Sequence, residues 1–300
     1  MKVTARIAVF AVLSLLSIPF SLTTYADPNG SGVIYGNDDR KNLYEIMNPS
    51  YRRLSDSTVA LVDAANFSQD SSGLLKLKES TLMAVTGVCG SERFANEPST
   101  AFCSGSLIGK NIVLTAGHCI ADQDSCNKTK MIFGFDVNSA GEYPKEVKES
   151  ETYHCKSIIY RQRDDTGADF GIIELDRDVT GHVPLKLANR THSTIPVGTK
   201  LLLIGHPLGL PTKLDDGGRV RAADSNGFFV ATTDSYGGNS GSPVFNQRSE
   251  KIEGVLVRGD DDFVLKGRCY VSKVCTETAC RGEDVTKVSS ITPFVPPQDL

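Results

Sequence analysis

Three segments of the chain carry side chains suited to acyl-transfer chemistry. The first runs Phe102-Cys103-Ser104-Gly105-Ser106-Leu107-Ile108 and then Val113-Leu114-Thr115-Ala116-Gly117-His118-Cys119, so an apolar run ends at a small-residue turn that presents His118. A general base must be held in one orientation, because its two ring nitrogens have different tasks. Cys103 and Cys119, 16 residues apart, can staple that turn to the preceding strand. The second is Ala168-Asp169-Phe170-Gly171-Ile172-Ile173-Glu174-Leu175, where one carboxylate leads into an apolar strand, shielded as an acid that orients imidazole must be. The third is Thr232-Thr233-Asp234-Ser235-Tyr236-Gly237-Gly238-Asn239-Ser240-Gly241-Ser242-Pro243-Val244-Phe245. Its glycines let the backbone approach a substrate carbonyl, with the N–H groups of Gly238 and Ser240 as donors to a developing oxyanion. Each segment alone has a bland explanation: an ordinary imidazole, a turn-capping Asp, a Gly-rich turn between strands. In the order His118, Asp169, Ser240 they supply base, orienting acid and nucleophile.

The elements that must position these residues read as β. Short apolar runs recur at 58–62, 82–88, 106–116, 130–135, 157–160, 170–175, 200–205, 227–232, 243–245 and 252–257. Their lengths suit strands better than helices, and without interleaved helical patterns they indicate a sandwich or barrel. Asp216-Gly217-Gly218 between Lys213 and Val220 predicts a hairpin turn. Residues 27–56 are polar and aperiodic, an extended arm or short pro-segment ahead of a domain spanning 57–300.

The first 26 residues set the expected compartment. Lys2 and Arg6 precede an apolar run, 7–20, too short as a helix to cross a hydrocarbon core, and small uncharged residues follow to Ala26. This is the pattern of a secretory signal peptide. It predicts a secreted or periplasmic protein with no stable membrane anchor once the leader is removed, and loss of its two cations takes the formal charge from -4 to -6. That balance, with no Lys/Arg run, argues against a nucleic-acid partner. The 8 cysteines of an exported chain favour disulfides over zinc. No cofactor is expected, nor any metal site; the acidic turn Asp260-Asp261-Asp262 lacks the spaced ligands of a calcium loop.

The histidine segment resembles that of chymotrypsin-like serine proteases, where the corresponding cysteines pair, which implies a Cys103–Cys119 disulfide. Cys89, Cys126, Cys155, Cys269, Cys275 and Cys280 are left with 15 pairings, of which Cys126–Cys155 is named as one expectation. Asp169 fits the family's frame for its acid: Asp, four apolar or small residues, a variable position and Leu. Gly238-Asn239-Ser240-Gly241-Ser242-Pro243-Val244-Phe245, with Val33-Ile34-Tyr35-Gly36-Asn37-Asp38-Asp39-Arg40, resembles bacterial glutamyl endopeptidases, in which the latter segment begins the mature enzyme. The resemblance covers 33 to about 257. It implies an all-β fold of two packed six-stranded antiparallel β-barrels with the active site at their interface, and His118, Asp169 and Ser240 as a catalytic triad. The tail beyond Gly267, with three cysteines, exceeds the family pattern and reads as a C-terminal extension.

Specificity divides two ways. Asp234 lies six residues before Ser240, where trypsin places the carboxylate that attracts Lys or Arg. Thr232, Thr233 and Arg258 instead favour an acidic side chain, and the Val33 amine, freed by removal of 27–32, helps hold that side chain in glutamyl endopeptidases. Asn239 has no charge with which to pair a new amino terminus, as the Asp of trypsin-like zymogens does. Two function classes result: an exported, monomeric serine endopeptidase acting on proteins or peptides, and a catalytically silent protease-like binding protein.

Overall fold

The structure, a computed structural model, describes residues 33–69, 74–78, 80–190, 194–223 and 225–296; the expected leader at 1–26 and the 27–32 pro-segment lie outside them. A short strand, β1 (Arg40–Asn42), comes from the stretch read as an extended arm, followed by a helix, Pro49–Ser55, capped by Asn48. Six strands then close a barrel: β2 (Thr58–Asp63), β3 (Cys103–Leu107), β4 (Ile112–Thr115), β5 (Thr129–Ile132), β6 (Thr152–Arg163) and β7 (Asp169–Leu175). Their antiparallel order is β6-β7-β4-β3-β2-β5, with β5 pairing back to β6. Two register shifts along the twelve residues of β6 let it coil around the barrel.

The second half is built from β8 (Leu201–Gly205), β9 (Lys213–Asp215), β10 (Val220–Ala222), β11 (Phe228–Ala231), β12 (Pro243–Asn246), β13 (Ile252–Arg258) and β14 (Glu283–Lys287). With β1 they form an eight-stranded sheet ordered β10-β11-β14-β13-β12-β8-β9-β1. The first six of these curl back on themselves: Lys200 bridges Arg219, and the Val220 N–H donates to Thr199 O at 2.9 Å. The two-barrel chymotrypsin-like architecture is therefore present, its second half a curled sheet whose ends meet between 198–201 and 218–220, with β9 and β1 continuing the sheet beyond β8.

Alternation along the strands joins the halves. Leu201 and Leu203 of β8, Val244 of β12 and Leu256 of β13 fill the second barrel. Their neighbours Leu202, Ile204, Phe245, Val255 and Val257 face the other way, into one core with Leu107, Leu114, Phe170 and Ile172 of the first barrel. Period-two side chains on strands buried on both faces leave no polar face, which is why these runs read as continuously apolar.

Three local expectations are corrected. Residues 82–88 form a helix, Leu82–Thr86, because Thr81 caps its start and Gly87, at φ +73°, supplies the left-handed residue that ends it. Asp216-Gly217-Gly218 turns the chain, but β9 and β10 do not pair: β9 is taken by β8 and β1, and β10 by β11. The tail beyond Gly267 is more than an extension, since β14 lies inside the second barrel between β13 and β11.

Candidate active site

Strand register brings His118 and Asp169 together. Thr115 of β4 pairs with Gly171 of β7, so the chain leaving β4 at Gly117-His118 runs beside Asp169 at the start of β7. Asp169 Oδ2 lies 2.6 Å from His118 Nδ1, and Oδ1 accepts the His118 backbone N–H at 3.1 Å. This double grip fixes ring and backbone at once, leaving Nε2 for a reacting proton. Gly117 makes the approach feasible: a Cβ there would sit 2.0 Å from Gln162 O and 2.9 Å from Asp169 Oδ1. Asp169 is buried, and from behind Thr286 of β14 accepts its N–H at 3.0 Å and donates to its carbonyl at 2.9 Å.

Ser240 reaches the same place from the second barrel. Its carbonyl accepts the Ser104 N–H at 2.9 Å and lies 3.6 Å from Cys119 Sγ, the residue after His118. No hydrogen bond joins Ser240 Oγ to His118 among the described residues; such bonds are often loose in a free enzyme and tighten around substrate. Cys103 and Cys119 are bonded to each other, stapling β3 to the histidine turn. The other pairs are Cys126–Cys155, Cys89–Cys269 and Cys275–Cys280.

The glycine-rich loop leaves two amides unspent. Gly237 N–H donates to Asp262, Asn239 N–H to Tyr236 O, Gly241 N–H to Leu256 O and Ser242 N–H to Asn239 O. Among the described residues the N–H groups of Gly238 and Ser240 have no acceptor. Gly238 holds φ at +82°, and a Cβ would stand 2.9 Å from both His206 O and Leu208 N. Its carbonyl accepts the Ser104 hydroxyl at 2.9 Å, and that of Gly237 accepts the Leu208 N–H at 2.5 Å, so both oxygens are tied back. A groove of about 470 Å³ lined by Phe102, Leu208, Gly237 and Gly238 opens beside this loop.

Most of the residues named as specificity candidates are held by other groups of the chain. Both oxygens of Asp234 are occupied, Oδ1 by the Tyr35 N–H at 2.7 Å and Oδ2 by the Asp39 N–H at 2.8 Å, while its own N–H donates to Asp215 at 2.8 Å. Val33 is buried, its carbonyl accepting the Ser235 N–H. Arg40, also buried, pairs with Asp38 at 2.8 Å and donates to the Tyr236 hydroxyl at 2.9 Å. Segment 33–42 is thus keyed into the lead-in to Ser240. Arg258 is spent on Asp284 at 3.1 Å and on the carbonyls of Asp164 and Gly167. Thr232 Oγ1 accepts the Arg219 N–H at 3.4 Å; Thr233 is buried against Gly218, its hydroxyl without a partner among the described residues. Asn239 closes its own loop, accepting from the Ser242 hydroxyl at 3.2 Å.

Burial pushes the Asp234 carboxyl up to about 7 despite the two amides. Asp215 is pushed well above the carboxylate range by burial and by Asp234 beside it. Asp39, Asp215 and Asp234 bring ligand atoms within 4.8 Å, but a cation there would have to displace the amides that hold Asp234. Cys103, His118 and Cys119 are equally close, yet their sulfurs are joined as a disulfide, leaving one imidazole. Sequence reasoning gave no role to Ser104, Thr286 or Tyr35; Ser104 adjoins Cys103 in the histidine motif and Tyr35 lies in the 33–40 segment, while nothing local marks Thr286.

A profile described as Trypsin-like peptidase domain matches residues 103–255, just over half of the chain and inclusive of His118, Asp169, Gly238 and Ser240. A Bacillus licheniformis protein named Glutamyl endopeptidase is 31% identical over 155 residues, 51% of this chain and 48% of that one. A Bacillus subtilis (strain 168) protein named Extracellular metalloprotease is 30% identical over 160 residues, 53% and 50% of the two chains. The chain spans about half the length of these curated relatives. A solved structure titled Glu endopeptidase in complex with MPD superposes with a TM-score of 0.48 at 18% identity, covering 87% of this chain and 97% of the other. On the profile match, this chain belongs to the family of trypsin-like peptidase domains.

Proposed function

We propose that the chain is an exported serine endopeptidase working through His118, Asp169 and Ser240. The observation that carries the reading is the doubly held His118 beside a serine loop whose Gly238 and Ser240 amides lack acceptors among the described residues. In the proposed reaction His118 Nε2 takes the Ser240 hydroxyl proton as Oγ adds to the peptide carbonyl. The carbonyl oxygen becomes an oxyanion bonded by the two amides. Asp169 stabilises the imidazolium, which passes its proton to the leaving amine as the C–N bond breaks. Water then repeats the sequence on the acyl-enzyme, releasing acid and regenerating Ser240. Each oxyanion donor is worth about 3 to 4 kcal/mol of transition-state stabilisation.

Export is supported by the leader-like first 26 residues and by four disulfides, which persist in oxidising compartments. Among the described residues no helix is long and apolar enough to cross a membrane. The substrates are proteins or peptides, handled as a monomer by the 57–300 unit together with the 33–42 segment keyed into it, with neither nucleic acid nor cofactor. A fluorophosphonate probe tests the reading. Ser240 is expected to be labelled, Ser240→Ala not, and an unlabelled wild-type chain would point to the silent binding protein instead.

A further inference from the structure

With Asp234 and Arg258 both engaged by other groups, a buried carboxylate beside Asp262, the acceptor of the Gly237 N–H, keeps one oxygen without a hydrogen bond among the described residues. Glu283, at the start of β14, is 1% exposed and its Oε1 accepts no hydrogen bond among the described residues. It shares a strand face with Val285, a core residue of the second barrel, so the side chain turns to that interior rather than to the Thr286 face that backs Asp169. The Asp260 amide and Asp262 stand beside it, and Asp262 accepts the Gly237 N–H next to the two unspent amides. Tyr35, from the segment that occupies Asp234, places its own buried hydroxyl, which meets no partner at hydrogen-bond geometry among the described residues, near Glu283 and the Gly282 backbone.

The cations nearby are committed. Arg258 and Arg281 both pair with Asp284, at 3.1 and 2.7 Å, Lys273 pairs with Asp260 at 2.8 Å, and Arg221 donates to carbonyls of the 279–281 turn. A buried carboxylate without a counter-ion is costly, and here burial, with Asp262 adding to it, holds Glu283 well above the usual carboxylate range. An incoming cation would relieve that cost.

Resting on the serine-endopeptidase reading, we propose that Glu283, backed by Tyr35, receives the side chain of a Lys or Arg residue immediately before the scissile bond. The enzyme then cuts after basic residues without using Asp234, which serves to anchor 33–40. Removing one partner of a buried charge pair loses about 100-fold or more in binding.

The test assays the full chain on peptides differing only in the residue before the cut (Arg, Lys, Glu, Ala), alongside fluorophosphonate labelling of Ser240. Arg and Lys peptides are expected to show the highest kcat/KM. In Glu283→Gln the Arg-over-Ala preference should fall by about 100-fold, and inhibition by benzamidine should weaken by a similar factor. Glu283→Asp, which keeps the charge, should retain a basic preference, separating loss of charge from loss of fold. A labelled enzyme that prefers Glu or Ala, or a basic preference that survives Glu283→Gln, overturns the assignment and leaves the endopeptidase reading intact. A chain that neither labels nor cleaves any peptide overturns both.

Discussion

The Ser104 hydroxyl donates to the Gly238 carbonyl at 2.9 Å while accepting the His206 N–H at 2.9 Å. One small side chain of the first barrel thus fixes the Gly238–Asn239 peptide, which lies between the two proposed oxyanion donors, the N–H groups of Gly238 and Ser240. Ser104→Ala leaves a buried carbonyl and a buried amide without partners and lets that peptide rotate, tilting the Gly238 and Ser240 amides on either side of it. The expected result is a fall in kcat approaching the ~100-fold of a lost oxyanion donor, with KM little changed. Steady-state kinetics on a peptide ester and a peptide amide would check it.

Asp169→Asn keeps the shape of the site but presents a donor to Nδ1 where an acceptor is needed. The ring is then held in the wrong tautomer, and kcat is expected to drop about 10⁴-fold. Circular dichroism unchanged from wild type would attribute the loss to chemistry rather than unfolding.

The Cys103–Cys119 bridge lies under both halves of the site, since it adjoins His118 and Cys119 Sγ contacts the Ser240 carbonyl. Replacing both cysteines by Ser reopens a loop with a 16-residue separation, which costs about 3 kcal/mol by the chain-entropy estimate. Guanidinium unfolding should show that loss, and activity should fall further than the residual folded fraction explains.

The buried Asp234 and Asp215 pair ties stability to pH. Both carboxyls are raised in the folded state, Asp234 to about 7 by burial against the pull of its amides. A raised carboxyl stabilises most fully below its unfolded value of about 4 and loses that contribution as pH rises through about 7. Melting temperatures across this window should decline with pH, and Asp215→Asn should make the decline shallower. An unchanged slope in the variant would show that the pair does not contribute.

His182 has the same sign from a different cause. Burial alone would lower it, but Glu151, 2.8 Å from Nε2, and Asp56, 3.1 Å from Nδ1 though off the hydrogen-bond line, lift it to about 9. Its stabilisation is complete below about 6.5 and disappears as pH rises through about 9. The gap in melting temperature between wild type and His182→Gln should therefore be widest at pH 6 and closed by pH 10.

Residue chemistry within short stretches of sequence was enough to mark His118, Asp169 and Ser240 as potential partners. The apolar runs likewise announced strands, because period-two burial on both faces leaves a continuous signal in β8, β12 and β13. Turn chemistry was harder to read: 82–88 is as apolar as a strand, and only the Thr81 and Gly87 caps tip it to a helix. What sequence could not decide was which charges remain available. Asp234 and Arg258 have the right types at suggestive positions, but chain segments up to 199 positions away consume them, Tyr35 N–H for one and Asp164 O for the other. Glu283 carries no local mark, and it matters only because its neighbours are spent elsewhere. A charge acts through what surrounds it, and in this chain those surroundings are assembled from segments hundreds of residues apart by the closing of two barrels.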